Sequence, residues 1–359
     1  MTSRLARSPW ARAALVVGAL AGAFAVVWWH GPSWTAVSDA FRVVRWRWVF
    51  AAIGLNLLSV VVRSVAWATV IDQAVPPPRP RYRTVFAAFS VGLFANAVLP
   101  GRIGELARVA VLNRRMPARS GLWATLVGTV FAHRVFDLPP VLALILFVVA
   151  TAQIPHWAAA SLVIFVIVGL GLLAFAMASA KHRDRSPLDG VGAARRLVEM
   201  ARYGLAVMKT PYAATKAVFF QSLGWTFQLL AVWTAMRAFH IYEGLPAAGL
   251  VLLLMNVATI FPLWPGNVGL VQAAVALPLV RYGVSYARGF AFGIGLQAIE
   301  ASVGVGVGLL FLAREGLSFA MLKRMPDAAQ AEVPEEEEAN ASAGGAVEPQ
   351  RRLVGTRRR

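Results

Sequence analysis

Cysteine is missing from the chain, which excludes a disulfide scaffold and any thiolate metal or redox site. Charge is scarce too: 14% of the 359 residues are Asp, Glu, Lys or Arg, against about 25% in a soluble domain. Acidic residues are scarcest, 17 against 35 Lys and Arg. The five His are scattered without metal-ligand spacing. There is no P-loop, dinucleotide glycine fingerprint, nucleophile elbow or His-Glu-x-x-His. From these absences we expect no enzyme, no cofactor and no metal. What the chain has instead is 58% apolar residues and a mean hydropathy of +0.63. That composition rules out a water-soluble globule. The net charge of +18 would suggest nucleic acid in a soluble protein. Here the basic residues lie in short clusters between apolar runs, the pattern of a membrane protein apposed to anionic lipid, so no nucleic-acid partner is expected.

A helix needs about 20 apolar residues to cross the hydrocarbon core. Runs of that kind are expected at 13–29, 46–71, 122–150, 157–180, 213–239 and 287–313. The first has no small-residue cleavage site after it, so it reads as a retained span rather than a signal peptide. Two further apolar segments, 85–116 and 245–282, are each broken by a Pro-Gly pair. The expected fold is therefore an all-α polytopic membrane protein, with about six full spans plus two Pro-Gly-broken re-entrant hairpins. Five regions follow. Residues 1–45 form an N-terminal span and interfacial segment, and 46–180 the first membrane half. A basic amphipathic cytoplasmic loop occupies 181–212, most simply lying along the inner leaflet. Residues 213–313 form the second half. The tail 314–359, with Glu335 to Glu338 and no apolar period, is expected to be disordered.

With the hairpins entering and leaving on one side, the proposed cytoplasmic pieces hold 25 of the 35 Lys and Arg and the outer pieces 6. The positive-inside rule then places both termini in the cytoplasm of a bacterial-type inner membrane. Arg63, Arg102, Arg108 and Arg134 remain at membrane depth.

Pro100-Gly101-Arg102-Ile103-Gly104 recurs as Pro265-Gly266-Asn267-Val268-Gly269. Pro removes a backbone donor and Gly permits a tight turn, so each copy ends one half-helix and starts another. Exposed backbone at membrane depth is tolerated where it is buried in protein or lines a wet cavity. Asn96, Glu105 and Arg108 flank the first break, and Asn256 and Gln272 the second. Similar broken elements entering from opposite faces predict an inverted repeat with a substrate site between its halves.

The stretch Asn96-Ala-Val-Leu-Pro-Gly-Arg-Ile-Gly-Glu105-Leu-Ala-Arg108 resembles the first motif of the lysylphosphatidylglycerol synthase transmembrane-region family, the flippase-like integral membrane proteins. Phe261-Pro-Leu-Trp-Pro-Gly-Asn-Val-Gly-Leu-Val-Gln272, followed by Tyr282-Gly-Val, resembles its second motif. The likeness covers about residues 45–315. Members often carry Glu where this chain has Gln272. Only the tail 314–359 follows the last apolar run, so the soluble transferase domain of the full-length synthases is not expected here. The resemblance therefore implies lipid binding or translocation, in a family associated with phospholipid, polyprenyl-linked or hopanoid lipids.

Charges inside a membrane helix each cost about 2.5–3.5 kcal/mol on insertion scales and need a reason. Arg102, Glu105 and Arg108, spaced by three, can share one cavity at a helix N-terminus, where free N–H groups favour an anion. Their arginines suit a lipid phosphate. The plainer reading has Arg102 and Arg108 snorkelling to the headgroups with Glu105 as counter-ion. The expected substrate-binding set is Asn96, Pro100, Gly101, Arg102, Gly104, Glu105, Arg108, Pro265, Gly266, Asn267, Gly269 and Gln272. A buried polar network is expected from Arg63, His133, Arg134, Asp137, Gln297 and Glu300. In it Arg134 pairs with Asp137, and Arg63 or Arg134 reaches Glu300. His133 reads as a packing residue, with a titrating switch as the rival role. Pro139-Pro140 should kink the third span.

The expected activity is translocation or binding of an anionic lipid without ATP. The rival is a membrane subunit presenting lipid to a separately encoded lipid-modifying enzyme. A small-solute channel is disfavoured by the lack of a long polar-faced helix. Membrane lipids are the expected partners, and a homo-oligomer is left open.

Overall fold

The structure is a computed structural model that describes residues 32–98, 103–119, 121–164, 166–167, 210–260 and 267–314, with 18, 22 and 171 isolated. The first apolar run, most of the 181–212 loop, the tail beyond 314 and both Pro-Gly pairs lie outside the described residues. Among the described residues all regular structure is helical.

Among the described residues, ten helices and a helical stretch at 156–164 carry the fold. Helix α1 (Trp34–Arg42) is short and packs on the last helix. Helix α2 (Trp46–Ala74) ends at the proline-rich loop. Arg119 donates to the Pro76 and Pro77 carbonyls there, at 2.8 and 2.9 Å. Helices α3 (Tyr82–Val98) and α4 (Gly104–Arg115) flank the first break. The third apolar run is two helices, α5 (Leu122–Val135) and α6 (Leu138–Thr151). They part at Phe136-Asp137, where the following prolines cannot donate within the helix, so the kink falls where Pro139-Pro140 predicted it. Residues 156–164 are helical as well.

The second half opens with α7 (Pro211–Ala238). Helices α8 (Leu245–Ala258) and α9 (Leu270–Leu279) flank the second break. Helix α10 (Tyr286–Arg314) closes the series. Among the described residues, three units are long and apolar enough to cross a membrane: Trp46–Ala74, the kinked Leu122–Thr151, and Tyr286–Phe311. Helices α3, α8 and the α9 segment are shorter apolar helices.

Helices α2 and α7 form the axis of the bundle. Arg45 N–H donates to the Ala238 carbonyl at 3.0 Å. Ser59 Oγ donates to the Gly224 carbonyl at 2.8 Å, and Thr210 Oγ1 to Gln73 Oε1 at 3.2 Å. Partners rise in one helix as they fall in the other, so the two run antiparallel. Ser59 and Gly224 are 165 residues apart, the same displacement that relates the two Pro-Gly motifs. The first residues of α2 and α7, Trp46 and Pro211, share it too. Positions matched by the repeat thus meet each other at Ser59 and Gly224, midway along the pair.

Among the described residues a small apolar cluster joins Val70, Ala132, Phe136, Ala213 and Ala217, and two large cores lie beside it. One gathers α2 through α5, the other α6 through α10. Each takes a helix segment from the opposite half. Val148 and Leu144 of α6 pack against Gly249 of α8. In the matching exchange, Gly308 of α10 lies against Ser90 and Phe94 of α3. Small residues at such crossings let backbones approach. The two halves are interlocked rather than apposed.

Candidate functional site

The first break brings polar side chains to the start of α4. Asn96, on the last turn of α3, accepts from the Gly104 N–H through its Oδ1 at 2.9 Å, satisfying one of the open donors of the new helix. Glu105 follows in the first turn. It pairs with Arg108 one turn on and with Arg134 from α5. Arg108 is only 4% exposed. Its guanidinium lies 4.7 Å from the centre of the Trp67 ring and 5.5 Å from that of Phe89. This is a cation–π cage, in which an arginine trades water for two ring faces. Arg108 does not snorkel. His133 is buried beside it, edge-on to Phe89 with ring centres 6.0 Å apart.

From Arg134 the polar contacts continue inward. Its Nη1 lies 3.4 Å from Asp137 Oδ2, the expected pair across the kink. Asp137 Oδ1 accepts from Arg63 Nη2 of α2 at 2.8 Å, from Trp225 Nε1 of α7 at 2.8 Å, and from Gln221 Nε2. Three donors thus converge on one carboxylate oxygen. Arg63 also donates to Gln228 Oε1 at 3.1 Å. Gln228 Nε2 faces Glu300 Oε1 of α10 at 3.5 Å. Among the described residues, Glu300 therefore meets Arg63 through Gln228. The expected direct pair from Arg63 or Arg134 is replaced by this bridge, because Asp137 at the kink already claims both guanidiniums.

The second break uses amides where the first uses ions. Asn267, with φ 45°, donates through Nδ2 to the Ala258 carbonyl at the end of α8, at 2.8 Å. Gly269, with φ 93°, donates its N–H to Gln272 Oε1 at 2.6 Å. Gln272 Nε2 in turn reaches Gln297 Oε1 of α10 at 2.6 Å. Asn256 donates to the Leu252 carbonyl of its own helix at 2.8 Å. Gln297 and Glu300 stand one turn apart on α10. Polar side chains thus run from Gly104 through Glu105, Arg134, Asp137, Arg63, Gln228 and Glu300 to Gln297, Gln272 and Gly269. One break is linked to the other across the α2–α7 pair.

Pro100, Gly101, Arg102, Pro265 and Gly266 fall outside the described residues. Asn96, Gly104, Asn267 and Gly269 are placed at the helix ends beside the breaks. Glu105, Arg108, Arg134, Asp137 and Arg63 come together in one ion network. Sequence reasoning missed Gln221, Trp225 and Gln228, which share a face of α7, and the rings beneath Arg108. Their signal was present. Gln221 and Gln228 stand 165 residues after Asn56 and Arg63, and Trp67 continues the Ser59–Arg63 stripe by one more turn.

A family model described as the lysylphosphatidylglycerol synthase TM region matches residues 13–308. The chain belongs to that family. No curated protein and no solved structure matches it. Family and apolar helices together make this a multi-pass membrane protein, tied to lipid biosynthesis or translocation. In this member of the lysylphosphatidylglycerol synthase TM family, the ion network joins α2, α4 and α5 at the junction with α6.

Proposed function

We propose that the protein binds an anionic lipid and moves it across the cytoplasmic membrane without nucleotide hydrolysis. The observation that carries this is the file of polar side chains between the two helix breaks, linked by contacts from Glu105 to Glu300 and from Gln297 to Gly269. Nothing about holding a bundle together requires a file of that length, since a packed apolar interface of equal volume serves as well or better. A file that crosses the junction of two antiparallel halves is suited to a headgroup travelling between them.

The membrane arrangement supports the reading. At 1.5 Å per residue the 17, 12, 14 and 10 residues of α3, α4, α8 and α9 span about 25, 18, 21 and 15 Å. A hydrocarbon core is about 30 Å thick, so each broken pair is a re-entrant hairpin in our reading. The six remaining apolar runs are the full spans, counting two that lie wholly or mostly outside the described residues. Antiparallel α2 and α7 make the halves an inverted repeat. The basic clusters put both termini on the cytoplasmic side of the inner membrane. Acyl or prenyl chains stay in the bilayer while the headgroup follows the file. No bond is made or broken in this scheme, so the protein acts as a carrier and not an enzyme.

Proteoliposomes carrying a fluorescent phosphatidylglycerol, with dithionite added outside, test the proposal. The wild type should expose inner-leaflet label faster than empty liposomes. Gln228→Leu, which cuts the file at its centre, should slow that exposure by about tenfold if one buried hydrogen-bonded step is lost. No movement by the wild type would overturn translocation. Retention of the lipid together with co-purification of a lipid-modifying enzyme would then favour the presenting-subunit role.

A further inference from the structure

The ion network is uneven in two respects, charge and access. Arg63, Arg108 and Arg134 contribute three guanidiniums, and Glu105 and Asp137 two carboxylates, all in mutual contact. Glu300 is held off behind the neutral Gln228. Among the described residues, this contact group holds one more guanidinium than carboxylate. Access separates the three guanidiniums that share this excess. The side chains of Arg108, Asp137 and Arg63 are 5%, 12% and 18% exposed, whereas that of Arg134 is 53% exposed.

Arg134 lies twelve residues from the start of α5, about 18 Å along the helix. That is beyond the reach of a snorkelling arginine at either end of the kinked span. A half-open guanidinium at that depth would be costly against fatty tails, which argues for a polar or anionic group on its open side. A guanidinium has five N–H donors, and two of its nitrogens are engaged by Glu105 and Asp137. The same cluster holds a buried donor without an acceptor, Nε of Arg108. Buried donors are normally answered, and this one lies on a side chain that grips Glu105 by its other end.

We infer that Arg134, and not Arg108, is the cation offered to the lipid, and that Glu105 is its internal rival. The ligand class is a monoanionic phosphodiester headgroup. Its two unesterified oxygens match the planar fork of a guanidinium, and its single charge matches the excess. On binding, the phosphate takes the Glu105 oxygen's place on Arg134, while Glu105 keeps its pair with caged Arg108. The inference rests on the lipid-binding reading above and adds the residue, the charge class and the exchange.

The test is native mass spectrometry of the full-length protein in micelles titrated with dioleoylphosphatidylglycerol. The comparison ligands are dioleoylphosphatidylcholine, whose headgroup has no net charge, and glycerophosphoglycerol, the same diester without acyl chains. Wild type should retain phosphatidylglycerol over phosphatidylcholine. Glu105→Gln should tighten retention by about tenfold by removing the rival charge, and Arg134→Gln should weaken it by a similar factor, the scale of one charge-assisted hydrogen bond. Arg134→Lys, a point charge without the fork, should fall between. Opposite signs for Glu105→Gln and Arg134→Gln are the decisive result, because a purely structural ion pair would lose retention in both. Should Arg134→Gln not fold, the Glu105→Gln gain decides alone. A loss in Glu105→Gln with wild-type retention intact would sink the exchange but leave the lipid reading standing. Wild type that retains neither lipid would end both. Chainless diester bound as tightly as the lipid would keep the phosphodiester and overturn the membrane source.

Discussion

Asp137 is the residue on which most of the network converges, and its position is a consequence of the prolines that follow it. Pro139 and Pro140 bring no N–H groups to the start of α6, so the helix is interrupted at Phe136-Asp137. The break aims the carboxylate at α2 and α7, where Arg63, Trp225 and Gln221 all donate to one oxygen. Removing that charge leaves Arg63, largely buried, with no carboxylate partner among the described residues, beside neutral Gln228 and the Trp225 ring. Asp137→Asn should therefore lower stability by about 3 kcal/mol, the scale of breaking one member of a buried pair, measured as the shift in denaturant midpoint in detergent. Arg63→Leu combined with Asp137→Leu should recover part of the loss, since neither charge is then stranded. A double variant no better than Asp137→Asn alone would mean that the carboxylate acts through Trp225 and Gln221 instead.

Helices α2 and α7 owe their close approach to one small residue. A Cβ on Gly224 would run into the Arg63 side chain and sit 3.7 Å from the Ser59 carbonyl. The helices can lie side by side along nearly their whole lengths because nothing projects at that point. Gly224→Ala should push the pair apart and displace Arg63 from Asp137, at a cost of about 1–3 kcal/mol for overpacking. Gly224→Ala together with Arg63→Ala should lose less than the sum of the two single changes, because the collision disappears with the side chain. Thermal unfolding of all three variants in one detergent reads this coupling directly. Additive losses would show that Gly224 matters for something other than clearance from Arg63.

The interlocking of the halves sets how the protein can be cut. Helix α6 completes the core around α8, and the end of α10 completes the core around α3. Neither half has a closed core alone, so residues 1–195 expressed without the rest should aggregate. The two halves co-expressed from a cut after residue 195 should assemble, detected as co-elution in size exclusion. A first half that folds and stays monodisperse alone would contradict the exchange of α6 and α10. The absence of cysteine helps here, because single cysteines can be placed anywhere without first removing native thiols.

Composition and run length were enough to specify a helical membrane chain, the positions of most described helices, the kink at Pro139-Pro140 and the matched Pro-Gly breaks. These follow from local physics: apolar runs must leave water, and proline must interrupt a helix wherever it stands. The charged residues were equally visible, since any ionisable side chain within an apolar run is conspicuous. Their partners were not. Whether Arg63 reaches Asp137 or Glu300, and whether Arg108 is caged by rings while Arg134 stays open, depends on how α2, α5, α7 and α10 come together. An isolated arginine in a helix can satisfy itself in several ways of similar energy. Packing against particular neighbours is what selects one of them, and those neighbours lie tens to hundreds of residues away along the chain.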